Sequence, residues 1–368
     1  MGPTDPSSSD APLRVLVADD SDLFAEVVVE LIESDSSMKV VAVATNGEQA
    51  VRLTEALKPD VVLMDVRMPI LDGLTAVERI MSRTPTPILV MTADPAGRTG
   101  ALAFEALKRG ALDLVPKPEA WSGTESERDE LRARLKLVAR VPVVHHVSRT
   151  YRSEPRPSSE VAKRPPAPAP MPARSVVVVG ASTGGPPALA RILSELPADF
   201  ALPVVVVQHL SAGFEHQLVQ WLSGVTRLEV AVATSGRALT PGLVLVAPCD
   251  KHLVFDGRIS VRLDSAPPIG GHRPAVEALF HSAADVFRSG TIGVLLTGMG
   301  NDGARALLEL RQRGAHTIVQ SGESATVDGM PRAARDLGAA VEVVPLEGVA
   351  EAITRAARGE PRRFGGTP

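Results

Sequence analysis

Two blocks of this chain alternate short apolar runs with amphipathic stretches, and a proline-rich segment separates them. In the first block, residues 14–19, 40–44, 61–65, 88–92 and 112–115 are nearly continuous apolar runs of strand length. Between them, residues 22–33, 48–57, 76–83 and 99–108 carry apolar positions at three- and four-residue spacing, which predicts helices. Strands without polar alternation are buried on both faces, so the pattern predicts a parallel sheet covered by helices on each side. The second block repeats the scheme, with its clearest strands at residues 175–179, 204–208 and 292–297. Closely spaced turns over residues 242–259 predict an antiparallel hairpin, and residues 348–357 predict a last helix. The fold class is α/β in both blocks, the second doubly wound and mostly parallel.

Between the blocks, residues 141–173 turn rich in Pro, Ser and Arg and end in Pro165, Pro166, Pro168, Pro170 and Pro172. Such a stretch buries too little apolar surface to order itself, and proline keeps it extended. The expected division is a tail over residues 1–12, a first domain over 13–131, a linker over 132–173, a second domain over 174–360 and a tail over 361–368. A length of 368 residues suits two domains. The net charge of −4 gives no electrostatic footprint for nucleic acid or an anionic membrane, so neither partner is expected. One cysteine, Cys249, excludes an internal disulfide and fits a reducing compartment. No run approaches the roughly 20 apolar residues of a spanning helix, and the start lacks a basic and apolar leader. The expected location is cytoplasmic, without direct membrane insertion.

Candidate chemistry gathers where strands end. Asp19 and Asp20 close the first strand, Asp65 the third and Thr92 the fourth, and Lys117 follows the fifth. Carboxyl ends of neighbouring parallel strands converge on one crevice. Three carboxylates meeting there repel unless a cation offsets them, and Mg2+, a hard cation with oxygen ligands, is the natural one. One carboxylate can then attack a phosphoryl group whose oxygens meet Lys117 and the Thr92 hydroxyl. An aspartate at a strand end commonly caps the next helix, and Asp22 suits that role. Five such residues at four strand ends do not reduce to caps. Residues 13–131 resemble the response-regulator receiver family through Val17-Ala18-Asp19-Asp20-Ser21, Asp65-Val66-Arg67-Met68-Pro69 with Asp72-Gly73, Met91-Thr92-Ala93 and Lys117-Pro118. The resemblance implies a flavodoxin-like five-stranded domain in which Asp65 is the phosphoacceptor. It places Asp19, Asp20, Asp65 and the Arg67 backbone carbonyl around Mg2+. An aromatic residue that receivers often carry shortly before the lysine is Leu114 here, so no aromatic rotamer switch is carried over.

In the second block, Val176 to Val179 lead into Gly180-Ala181-Ser182-Thr183-Gly184-Gly185, an apolar strand entering a glycine-rich turn. The turn alone has three readings. It satisfies the G-x-S-x-G elbow that exposes a nucleophilic serine. It approximates a dinucleotide-binding turn with Ser182 in place of the second glycine. It is also an ordinary glycine-rich helix entry. Two further strand ends favour the elbow: residues 204–208 deliver His209, and residues 292–298 deliver Met299-Gly300-Asn301-Asp302-Gly303. If these strands run parallel, a nucleophile, its base and an orienting carboxylate share one edge. Backbone N–H groups of the 297–300 loop are then placed for an oxyanion. The order Ser, Asp, His of an α/β-hydrolase has candidates such as Asp264 followed by His316, neither of which follows a convincing parallel strand.

Residues 174–357 closely resemble the catalytic domain of the chemotaxis protein-glutamate methylesterase family. The matching segments are Gly180 to Gly185, Gln208-His209-Leu210 with Ala212-Gly213-Phe214, Val246-Ala247-Pro248, His272-Arg273-Pro274, Leu296 to Ala304, and Gly329-Met330-Pro331-Arg332-Ala333-Ala334. The resemblance implies a catalytic Ser182, His209 and Asp302, an oxyanion site using the Met299 N–H, and a supporting Thr183. It implies hydrolysis of glutamate methyl esters on methyl-accepting chemoreceptors, with release of methanol, and deamidation of receptor glutamines. It also implies a receiver that covers the active site until a chemotaxis histidine kinase phosphorylates Asp65, and a catalytic domain that needs no cofactor. The alternative within the fold is a serine-dependent hydrolase of another ester. A DNA-binding regulator would need a basic helical output, and a dinucleotide oxidoreductase would need a glycine at position 182.

Overall fold

The computed structural model describes residues 11–93, 98–117, 125–141, 143 and 175–360. The expected linker from residue 144 to 173, residues 1–10 of the first tail and the tail at 361–368 lie outside them. The chain divides into two compact units, Met1–His146 and Val147–Pro368, and each is described by itself.

In the first unit the strands are β1 (Leu13–Ala18), β2 (Met38–Ala44), β3 (Val61–Asp65), β4 (Ile88–Thr92) and β5 (Asp113–Pro116). The helices are α1 (Asp22–Glu33), α2 (Gly47–Leu57), α3 (Gly73–Arg83), α4 (Arg98–Lys108) and α5 (Glu125–Val138). Polar caps fix where three of them start. Ser21, Asn46 and Asp72 accept the backbone N–H of Phe24, Gln49 and Thr75, satisfying donors a helix start leaves without partners. All strand pairs are parallel, in the order β2-β1-β3-β4-β5, which is the flavodoxin-like arrangement. The order reverses between β1 and β3, so Asp19 and Asp65 leave adjacent strands. Helix α5 continues past the boundary expected at 131, because Leu131, Leu135 and Val138 all pack into the core beside Leu63, Leu89 and Met91.

The second unit contains β6 (Val176–Ala181), α6 (Gly185–Glu195), β7 (Val204–Gln208), α7 (Glu215–Val225), β8 (Glu229–Val232), β9 (Leu243–Val246), β10 (His252–Asp256), β11 (Ser260–Asp264) and α8 (Val276–Val286). It continues through β12 (Thr291–Leu295), α9 (Ala304–Gln312), β13 (His316–Gln320), α10 (Met330–Asp336), β14 (Glu342–Val344) and α11 (Leu346–Ala357). Seven strands form one parallel sheet in the order β14-β13-β12-β6-β7-β9-β8. The chain winds from β6 outward in one direction and returns to β12 on its other side, so the switch point lies between them. Val176 to Val179 at the centre are at most 2% exposed, each side chain stabilising the fold by about 1.5–3 kcal/mol. The hairpin expected within residues 242–259 is displaced. Leu243–Val246 joins the main sheet as a parallel strand, and the antiparallel pair is β10 with β11, packed under α8 through Leu253, Phe255 and Val261.

Candidate active site

Strands β6, β7 and β12 are neighbours and parallel, so their carboxyl ends deliver Ser182, His209 and the 297–303 loop to one edge of the sheet. Ser182 is tied on both sides. Its N–H donates to the Thr297 carbonyl at 3.0 Å, and its own carbonyl accepts from Gly185 N–H at 2.7 Å and from Gln208 Nε2 at 2.8 Å. Gln208 Nε2 also donates to the His209 carbonyl at 2.9 Å, so one buried amide couples the turn of the serine to that of the histidine. Gly184 is left-handed at φ 76, and a Cβ there would strike the Thr326 side chain. Glycine is required at that position on both grounds.

Asp302 accepts from His209 Nε2 at 2.8 Å. Its Oδ2 accepts also from Val276 N–H at 2.7 Å, and its Oδ1 from Glu277 N–H at 2.9 Å, the first two residues of α8. Burial alone raises the Asp302 pKa, but the His209 bond and the two backbone donors hold its carboxyl below the ordinary range. An ionised carboxylate only accepts, so His209 carries its proton on Nε2 and its lone pair on Nδ1. That Nδ1 is buried and has no hydrogen-bond partner among the described residues. Among the described residues no hydrogen bond joins it to the Ser182 hydroxyl; in unliganded enzymes this contact is often long and tightens with substrate.

The loop after β12 is stitched down by polar groups. Thr297 N–H donates to Gln320 Oε1 at 2.8 Å, and Thr297 Oγ1 donates to the Thr183 carbonyl at 2.9 Å. Gly298 donates to the Val327 carbonyl and accepts from Gly329 and Met330. Thr183 is buried beside Ser182, whereas Met299 is half exposed at the rim. The sequence reasoning did not single out Gln208, Thr297 or Gln320 for these roles. Gln208 and Thr297 stand within the segments that carry the family resemblance, without a role of their own, and Gln320 shows only as a polar residue closing an apolar strand.

The other candidates fall elsewhere. Asp264 ends β11 and is held by Arg262 and by Ala266 N–H. His316 begins β13, at the opposite edge from the serine, and pairs with Glu342 at 2.9 Å. Cys249 points its thiol at the Leu210 and Ser211 carbonyls, both at 3.6 Å. Burial and Glu215 push its pKa up, which suits an inert thiol.

In the first unit, Asp19, Asp20 and Asp65 offer carboxylate oxygens within 4.8 Å of one another. Lys117 Nζ stands 2.5 Å from Asp19 Oδ2 and 2.9 Å from Asp65 Oδ2, and lies over the Phe24 ring at 4.6 Å from its centroid. Burial raises the pKa of Asp65 despite Lys117. One ammonium against three carboxylates leaves an excess of negative charge and only hard oxygen donors, which fits Mg2+. Thr92 is buried at the end of β4, and its carbonyl accepts from Lys117 N–H at 2.8 Å. The Arg67 side chain is exposed, and its backbone N–H donates to Asp65.

Residues 177–353 match the family described as CheB methylesterase, and residues 15–124 match the response regulator receiver domain. Protein-glutamate methylesterase/protein-glutamine glutaminase 2 of Anaeromyxobacter dehalogenans (strain 2CP-C) is 44% identical over 352 residues, covering 96% of this chain and 99% of the relative. Protein-glutamate methylesterase/protein-glutamine glutaminase of Symbiobacterium thermophilum is 40% identical over 354 residues, covering 94% of this chain and 97% of the relative. Among solved structures, the Thermotoga maritima CheB methylesterase catalytic domain is 36% identical, with a TM-score of 0.48, covering 50% of this chain and 98% of that chain. With both domains matched and the curated relatives aligned almost end to end, the chain belongs to the protein-glutamate methylesterase/protein-glutamine glutaminase family, hydrolases with a receiver domain.

Proposed function

We propose that this chain is a serine-type protein-glutamate methylesterase and glutamine deamidase acting on chemoreceptors, and that phosphorylation of Asp65 raises its turnover. The observation that carries the serine mechanism is the buried, unpartnered His209 Nδ1 on a ring whose other nitrogen is fixed by Asp302. In this reading the Ser182 hydroxyl attacks the γ-carbonyl of a glutamyl methyl ester and passes its proton to Nδ1. The imidazolium so formed is stabilised by Asp302, and the oxyanion accepts from backbone N–H groups that include Met299. Collapse returns the proton to the leaving oxygen and releases methanol. Water then repeats the sequence on the acyl-enzyme, giving glutamate and free serine. With a glutamine substrate ammonia leaves instead. Thr183 supports the site through its carbonyl bond to Thr297.

In the receiver, Asp65 is the phosphoacceptor, Lys117 and Thr92 meet the phosphoryl oxygens, and Asp19, Asp20, Asp65 and the Arg67 carbonyl hold Mg2+. Bound Mg2+ supplies the positive charge that lets an anionic donor approach three carboxylates. The phosphodonor is a chemotaxis histidine kinase. The alternation of two α/β blocks, with α5 packed into the first core, supports a first domain from residue 13 to the end of α5 at Val138, a second over 174–360 and the linker between them.

Methanol release from methylated chemoreceptors tests the reading. Ser182→Ala should lower turnover by roughly six decades if the three residues act as a unit; near-normal release would sink the assignment. Asp65→Asn should abolish stimulation by acetyl phosphate, and a variant that still responds would place the switch elsewhere.

A further inference from the structure

The loop between β11 and α8 touches the catalytic residues twice. At its exit, Val276 and Glu277 N–H groups bind Asp302. At its middle, the His272 ring lies flat against His209, with centroids 4.1 Å apart and planes 8° from parallel. The loop is well fastened. His252 Nδ1 accepts from Ala275 N–H at 3.2 Å and its Nε2 lies 3.1 Å from the Pro267 carbonyl, so one histidine holds both ends. Arg273 reaches Asp250 at 2.8 Å and the Ala266 carbonyl at 3.3 Å. Ile269 and His272 exchange backbone hydrogen bonds at 3.1 and 3.0 Å.

His209 needs such a neighbour. Among the described residues its one side-chain hydrogen bond, to Asp302, fixes one ring atom and Nδ1 has no partner, which leaves the ring free to tilt about that contact. A parallel ring at stacking distance removes the tilt. It also presents a π face to the cation formed when His209 takes the serine proton.

We infer that His272 is a positioning residue of the hydrolase: by stacking, it holds the His209 plane so that Nδ1 faces the Ser182 hydroxyl. This rests on the serine-hydrolase reading above. The test is steady-state methanol release by the full chain, with acetyl phosphate, from methylated chemoreceptors. Four variants are compared: Ser182→Ala, His272→Ala, His272→Leu and His272→Phe. The Ala and Leu variants should lose roughly tenfold in kcat with KM within about twofold of wild type, while Phe restores kcat to within roughly threefold. Leu and Phe both fill the site, so their difference reports the ring rather than bulk or folding. A Leu variant at wild-type rate, a Phe variant as slow as Leu, or a loss confined to KM overturns the inference. Ser182→Ala at wild-type rate sinks the hydrolase reading itself, whereas its inactivity beside a fully active Leu variant sinks only the role of His272.

Discussion

Asp302 accepts hydrogen bonds from His209 and two backbone N–H groups while buried at the sheet edge, and its ionisation follows from those contacts. Its folded pKa lies below the ordinary value, so the unfolded chain protonates first as pH falls. The stability this carboxylate contributes is complete above the unfolded value of about 4 and is lost as pH drops through the folded value. Asp302→Asn should therefore melt below wild type at neutral pH, with a gap that narrows under acid below about pH 4. Its kcat should fall by roughly four decades, because an amide no longer fixes the His209 tautomer. Melting curves between neutral and acid pH check the first part, and a gap indifferent to pH would show that Asp302 does not act through its charge. Ser182, His209 and Asp302 were legible in the sequence because each follows an apolar run long enough to be a strand. Gln208, Thr297 and Gln320 were not, since their contacts join segments far apart in the chain and leave no local period. His272 was visible only as part of a matching segment, because the stack depends on how the β11–α8 loop folds back.

Among the elements, the loop after β12 is where packing meets chemistry. A Cβ at Gly298 would stand 2.7 Å from the Ser182 Cβ and would also strike the Met330 sulfur. Methionine can yield, but Ser182 is fixed by bonds at its own N–H and carbonyl. Gly298→Ala should then displace Ser182, the proposed nucleophile. We expect a cost of about 1–3 kcal/mol in stability from overpacking and at least a roughly tenfold drop in Ser182 labelling by a fluorophosphonate. Unchanged labelling kinetics in a folded variant would mean the loop absorbs the methyl group without moving the serine. The fold was read well where burial on both faces removes alternation, as in β3, β6 and β7. It was read less well over residues 242–259, where β9 and β10 are both short and apolar and only their partners distinguish them. The end of the first domain was misplaced for a related reason. Helix α5 is strongly polar overall, and Leu131, Leu135 and Val138 reveal its buried face only against the core.

The whole molecule repeats one device with two chemistries. Each unit gathers its reactive groups at the switch point of a parallel sheet, β1 beside β3 in one and β6 beside β12 in the other. The first site is acidic and built for a hard cation, whereas the second places serine, histidine and a single carboxylate, all buried, at its edge. Metal dependence should therefore belong to the switch and not to the hydrolysis. Treating the full chain with EDTA should abolish stimulation by acetyl phosphate while leaving unstimulated methanol release within about twofold, and added Mg2+ should restore the stimulated rate. The two rates measured on one preparation separate the sites. If EDTA removed the unstimulated rate as well, the ester hydrolysis itself would depend on a metal, and the assignment of Ser182, His209 and Asp302 as a sufficient set would fail. If stimulation survived EDTA, Asp19, Asp20 and Asp65 would not be holding the cation that phosphorylation requires.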